Sequence, residues 1–266
     1  MNIIKASGDV EPFNSKKIYY TIKEAGASDK LARDSVRAVK EIYHDGITTD
    51  EVLKFLLTYL KKEPGVSQRY NLKKAIMSLG PSGFPFEMFF ARVLNFYGYS
   101  TEVGQKLKGK KIIHEIDIVA SKNKKYMIEC KYHNQSGTST SLHPAMYTYA
   151  RFLDLNNYNF DLPWLVTNTK CSSDAINYAS GVGLKVTSWN YPQNESLLRL
   201  VENKRIYPIT ILTSIKKHEF ENFFSVNLIV VNDLLEKDID WLVNNTKISR
   251  NRIFKIIEEA KYVLYK

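Results

Sequence analysis

The triplet Glu129-Cys130-Lys131 lies inside YMIECKYH, a run with the character of a strand. Side chains two apart on a strand share a face, so Glu129, Lys131 and His133 project together, with Ile128, Cys130 and Tyr132 opposite. The preceding strand, HEIDIVA, holds Asp117 among apolar neighbours, an expensive place for a charge without a purpose. Phosphodiester hydrolysis requires this equipment. Hard Mg²⁺ takes one or two carboxylates plus waters, and the bound metal generates hydroxide and neutralises charge on phosphate. A nearby lysine orients the attacking water or stabilises the pentavalent phosphate as a point charge. A plain cross-strand ion pair between Glu129 and Lys131 is the alternative, since short motifs match by chance.

The elements around this triplet alternate helix and strand. A helix over Phe86–Tyr97 presents Phe86, Phe89, Phe90, Val93 and Leu94 on a wide apolar face. The strands HEIDIVA and KYMIECKY are joined by a turn at Ser121-Lys122-Asn123-Lys124. A helix near Ala145–Leu155, a buried strand LPWLVTN, a helix Ser173–Ser180 and a strand LKVTSW follow. Such alternation predicts an α/β layered domain. Lys106, Lys108, Lys110 and Lys111 read as a basic loop before the Asp117 strand, either solvated or in contact with phosphate. Cys130 faces the core, and His133 meets substrate or solvent.

From Gly83 to Trp189 the chain resembles the catalytic domain of Mrr-type restriction endonucleases in the PD-(D/E)xK superfamily. FPFEMFFARVLNFYGYS is similar to that family's opening helix, HEIDIVA to its metal-Asp strand and YMIECKYH to its E-x-K strand. WLVTNTKCSSDAINYASGVGLKVTSW is similar to its closing strand–helix–strand unit. The resemblance implies a restriction-endonuclease-like fold, a mixed sheet flanked by helices. Asp117 and Glu129 become ligands of Mg²⁺, or of Mn²⁺ in its place. Lys131 becomes the catalytic lysine, and Glu87 the helix acid reaching the metal or its waters. An exposed acid favoured by the helix dipole is the other reading of Glu87. Ile116 stands where the family's motif has Pro, a change common in the superfamily.

Residues 1–80 contain IIKASGDVEPFNSKKI, DGITTDEV and QRYNLKKAI. They resemble an ATP-cone, the nucleotide-sensing domain of ribonucleotide reductases and their repressors. By that resemblance Lys5 and Lys17 meet the phosphates of ATP or dATP, and Asn14 and Thr49 lie near the nucleotide. Ala6 and Leu53 depart from the family's pattern. The elements expected here are a hairpin around Ser7-Gly8-Asp9 and helices from Asn14-Ser15, from Ser28 to about His44, after the capping box Thr48-x-x-Glu51, and over Gln68–Leu79. Residues 193–266 read as a mostly helical tail with a strand-like NLIVVN, ending in a helix near Arg250–Tyr265. KISRNRIFKIIEEAKYVL faintly resembles a helix-hairpin-helix, with Lys247 where a Gly is expected; a helical cap serves equally.

Three segments are thus expected, 1–80, 83–192 and 193–266. The net charge of +10, spread along the 266 residues, suits a polyanionic partner. Two cysteines without ligand spacing fit a reducing compartment. No apolar run spans a bilayer and the start lacks a signal peptide, so a cytoplasmic protein is expected. The expected function is a metal-dependent endodeoxyribonuclease under nucleotide control, acting on DNA as a homo-oligomer. Its rivals are a catalytically silent, nucleotide-responsive DNA-binding or assembly protein, and a nuclease acting on RNA or branched DNA.

Overall fold

A computed structural model describes residues 1–265. Strands β1 (Asn2–Ile4) and β2 (Val10–Pro12) pair antiparallel across a turn in which Gly8 adopts a φ of +87°. Helix α1 (Ser15–Glu24) opens on Asn14, whose side chain accepts from the Lys17 amide at 2.9 Å. Ser28 caps α2 (Asp29–Glu41) in the same way. The Thr48/Glu51 capping box forms at the head of α3 (Thr49–Tyr59), satisfying amides the first turn leaves without helical partners. The single helix expected over Gln68–Leu79 is instead two, α4 (Val66–Tyr70) and α5 (Leu72–Met77). They part at Asn71, whose amide folds back onto the carbonyls of Ser67 and Gln68. Ile22, Leu31, Val39, Val52 and Leu56 form the core beneath these helices.

Helix α6 (Phe84–Phe96) follows, burying Phe86, Phe89, Phe90, Val93 and Leu94. The main sheet has the order β3 (Ser100–Lys108), β4 (Ile113–Ser121), β5 (Lys125–Lys131), β7 (Leu162–Thr167), β9 (Lys185–Thr187). The first three strands run antiparallel as a meander; β5, β7 and β9 run parallel. The parallel connections are α7 (Leu142–Asp154) and α8 (Ser173–Val182), as parallel pairing requires. A small pair, β6 (Ser139–Thr140) with β8 (Lys170–Cys171), and α9 (Leu197–Lys204) complete this part. Trp164 of β7 meets Phe90 of α6 edge-on at 5.6 Å, while its neighbour Leu165 packs with Ala145 of α7. Consecutive strand residues face opposite ways, so helices flank both faces of a mixed sheet.

Strand β3 was not expected. Lys106 and Lys108 belong to it, and only Lys110 and Lys111 lie in the turn. Its inward positions include Thr101 and Gln105, which blur the alternation that marks a strand.

The last elements are α10 (Phe220–Phe224), α11 (Val231–Leu235), α12 (Ile239–Thr246) and α13 (Arg250–Tyr265). NLIVVN is not a strand. The Asp233 carboxylate accepts the Ile229 and Val230 amides, each at 3.0 Å, spending donors a ladder would need. Lys247 sits left-handed at φ +57° between α12 and α13, at the position where a helix-hairpin-helix would carry Gly.

The three expected segments regroup into two compact units, Ile76–Pro208 and a second comprising Met1–Ala75 with the chain from Ile209 onward. Residues 193–208, assigned to the tail from sequence, thus belong with the sheet. Within the second unit, Gln68 donates to Glu259 at 2.8 Å and the Arg69 guanidinium reaches the Tyr262 and Val263 carbonyls. Contact there is close: a Cβ on Gly65 would lie 2.6 Å from the Tyr262 oxygen. No described helix is long and apolar enough to cross a membrane.

Candidate active site

The β4–β5 ladder runs from Ser121↔Lys125 to Ile118↔Ile128 and stops at Asp117. There the carboxylate takes over: Asp117 Oδ2 accepts the Cys130 N–H at 2.7 Å. On the other flank, β3 and β4 pair on either side of Asp117 but not at Gly104, the position opposite it. Gly104 has φ +67°, and a Cβ there would meet nothing within 4 Å. The sheet is therefore parted on both sides of one half-buried carboxylate. Glycine inside a strand at such a place leaves room for a ligand to approach the backbone.

Glu129 stands beside Leu165 in the β5–β7 register, on the sheet face covered by α7. Arg151 of α7 forms an ion pair with its Oε2. Both partners are largely buried, the Arg151 side chain at 7% exposure and Glu129 at 19%. The guanidinium lies 5.1 Å from the Tyr147 ring centre, and its Nε has no hydrogen-bond partner among the described residues. Lys131, two residues beyond Glu129, is exposed.

The electrostatics gather the acids. Burial pushes the Asp117 carboxyl up, opposed by the Cys130 amide and Arg151 and reinforced by Glu115. Glu129 is raised to about 7, first by burial and then by the Asp117 charge, against Arg151 and Lys131. Glu87, in the first turn of α6, is also raised to about 7, by burial and then by Asp117, Glu129 and Glu115. Asp117 thus acts on both Glu129 and Glu87, Glu129 acts on Glu87, and Lys131 acts on Asp117 and Glu129. Cys130 is buried, as expected, its thiol pushed well up by that burial.

His133 is held by a network of its own. Its Nε2 lies 3.0 Å from Thr140 Oγ1, which donates to Thr167. Its amide and carbonyl are both taken by the Asn168 side chain, at 2.9 and 2.7 Å. Burial, then Lys131, lowers its pKa. This bracket fixes the chain just after Lys131. Lys106, Lys108, Lys110 and Lys111 are all exposed.

Sequence reasoning missed Arg151. Its signal was present: Ala145, Thr148 and Arg151 recur at helical spacing and are all buried, so a cation occupies an otherwise core-facing stripe. Gly104 and Asn168 carried no comparable mark.

Lys5, Asn14, Lys17 and Thr49 all line one cavity of about 250 Å³ near the N-terminus, together with Phe13 and Tyr70. Lys5 is ion-paired with Glu11, and the Asn14 side chain is engaged as the α1 cap. Burial pushes the Tyr70 hydroxyl up to about 12.

Among the described residues, no three His, Cys, Asp or Glu side chains are gathered so as to hold a metal ion between them. Asp117 and Glu129 each have one carboxylate oxygen already engaged.

Residues 1–72 match the ATP cone domain, which supports nucleotide binding by this part. Residues 207–264 match a family described as AF1548-like, C-terminal. An uncharacterized protein of Archaeoglobus fulgidus is 40% identical over 175 residues, spanning 65% of this chain and 99% of the relative. A crystal structure of a protein of unknown function, AF1548, superposes with a TM-score of 0.63 at 38% identity, covering 69% of this chain and 98% of that one. The chain belongs to the AF1548-like family and carries an N-terminal ATP-cone domain.

Proposed function

We propose that the chain is a metal-dependent endodeoxyribonuclease of the PD-(D/E)xK type, its sheet domain Mrr-like and its activity modulated by ATP or dATP. The carrying observation is the parted sheet at Asp117, with Glu129 and Lys131 on the neighbouring strand and Glu87 within electrostatic reach. The donor chemistry fits Mg²⁺, which keeps several waters and needs only one or two carboxylates. Asp117 and Glu129 would hold it. When bound, the ion supplies an acidified water and neutralises phosphate charge.

The chain's own residues do the rest. Lys131, exposed beside the carboxylates, directs its ammonium at the scissile phosphate, where charge grows in the transition state. Glu87, its carboxyl raised to about 7, takes up or releases a proton at neutral pH. The gap at Gly104 lets a phosphodiester backbone approach Asp117. Arg151 neutralises Glu129.

One observation favours a second reading. The Arg151–Glu129 pair already satisfies one ligand without a metal, as a catalytically silent, nucleotide-responsive DNA-binding protein would require. Incubation of the full chain with supercoiled, linear, single-stranded and branched DNA and with RNA, in Mg²⁺ or EDTA, separates the readings. Metal-dependent cutting of DNA supports the nuclease. Tight DNA binding without cutting in Mg²⁺ or Mn²⁺ supports the silent protein, and cutting of RNA alone would move the substrate.

A further inference from the structure

The hairpin joining β3 to β4 ends in Ile112 and Ile113, adjacent and exposed at 59% and 68%. Two neighbouring aliphatic side chains in water gain nothing for the fold. Around them stand Lys106, Lys108, Lys110 and Lys111, all exposed. The tip leads along β4 directly to Asp117. Exposure alternates through Ile113, His114, Glu115 and Ile116, so Ile113 and Glu115 share the outer face. Lys108 pairs with Ile113 and Lys106 with Glu115, which sets both lysines on that face.

The mounting is rigid. His114 Nε2 is 2.7 Å from Asp154 Oδ2, the Lys110 amide donates to Asp154 and the Lys108 amide to the Tyr158 hydroxyl. Gly109 lies so close that a Cβ would fall 1.9 Å from Asp154 Oδ2. An exposed apolar tip braced from beneath and ringed by cations suits insertion between stacked bases. Aliphatic wedges of this kind unstack a base step and kink the duplex, while lysines hold the phosphates.

We infer that the Lys108–Ile113 tip is a wedge that inserts Ile112 and Ile113 into duplex DNA beside the scissile bond; this rests on the nuclease reading. Ile113 is four strand residues from Asp117, roughly 14 Å at ~3.4 Å per residue, or about four base-pair steps. The unstacked step therefore lies about four pairs from the cut. Pyrimidine–purine steps, which kink most easily, are favoured there.

The test uses the full chain carrying Asp117→Asn to prevent cutting, with duplexes bearing 2-aminopurine at successive positions. Fluorescence should rise severalfold at one or two adjacent positions. Ile112→Ser/Ile113→Ser should abolish that rise, weaken DNA binding by less than about tenfold because the lysines remain, and slow cutting in the otherwise wild-type chain. A rise that persists in the double variant, or no rise on DNA that the Asp117→Asn chain binds and the wild-type chain cuts, overturns the wedge and leaves the nuclease standing. Absence of DNA binding by the wild-type chain at low salt overturns both. Loss of binding to anionic vesicles in the double variant, with DNA behaviour unchanged, would assign the tip to lipid and also overturn it.

Discussion

Replacing Asp117 with Asn should flatten the dependence of stability on pH while leaving the fold intact. The carboxamide oxygen of the new side chain can still accept the Cys130 amide, so the strand junction survives. What changes is charge. Glu129 has a folded-state pKa of about 7 against an ordinary 4.5, so the folded protein binds its proton more tightly than the unfolded chain. The corresponding stability is fully present below pH 4.5 and is lost as pH rises through 7. At about 1.4 kcal/mol per unit this reaches at most about 3 kcal/mol, or roughly 6–12 °C in Tm. Glu87 acts in the same direction. Asp117 is the second cause of the Glu129 shift, after burial, and its own carboxyl is raised too. Removing its charge should reduce the loss on the order of 1 kcal/mol, the size of one screened charge pair. Urea unfolding in EDTA at pH 5, 6, 7 and 8 measures both slopes. Equal slopes in wild type and variant, or no loss of wild-type stability toward pH 8, would refute the reasoning.

Three further outcomes follow from named contacts. Lys131→Ala should lower turnover about a hundredfold with little change in DNA affinity, because its charge is aimed at the transition state; single-turnover rates beside binding isotherms measure the split. Lys5→Ala should weaken ATP and dATP binding more than Lys17→Ala, since it also leaves Glu11 without the Lys5 charge and set against the phosphates, and calorimetry on the full chain ranks the two. Gly109→Ala should cost about 1–3 kcal/mol, since a Cβ there displaces the Asp154 carboxylate from His114 and the Lys110 amide; urea midpoints at constant m-value measure it.

The elements legible in the sequence were those with strong periodicity or a capping signature. The α6 face of Phe86, Phe89, Phe90 and Val93 and the Thr48/Glu51 box depend on neighbours within a few residues, and both are found where the pattern set them. The β4–β5 alternation likewise put Glu129 and Lys131 on one face with Cys130 in the core. What escaped depends on distant partners. β3 hid because its inward positions include Thr101 and Gln105 and its outward lysines looked like a loop. NLIVVN is as apolar as a strand, and only the Asp233 carboxylate diverts its amides. Residues 209 onward resemble a tail in sequence because nothing local tells that Glu259 meets Gln68, 191 positions away. At the candidate site the carboxylates were visible as charges in apolar strands. The core-facing place of Arg151 on α7 was marked by helical spacing, but its pairing with Glu129 was not, because that depends on how α7 packs on the sheet.

The central claim, that Asp117 and Glu129 form a metal site, is tested most directly by calorimetric titration of the full chain with Mn²⁺ and Mg²⁺ at about pH 7 in two buffers of different ionisation enthalpy. One ion per chain should bind at this site with release of protons, because Glu129 is raised to about 7 and a ligand must be deprotonated. Asp117→Asn should abolish that binding. Wild-type protein that takes up neither ion at millimolar concentration, or a variant that binds as wild type does, would contradict the assignment.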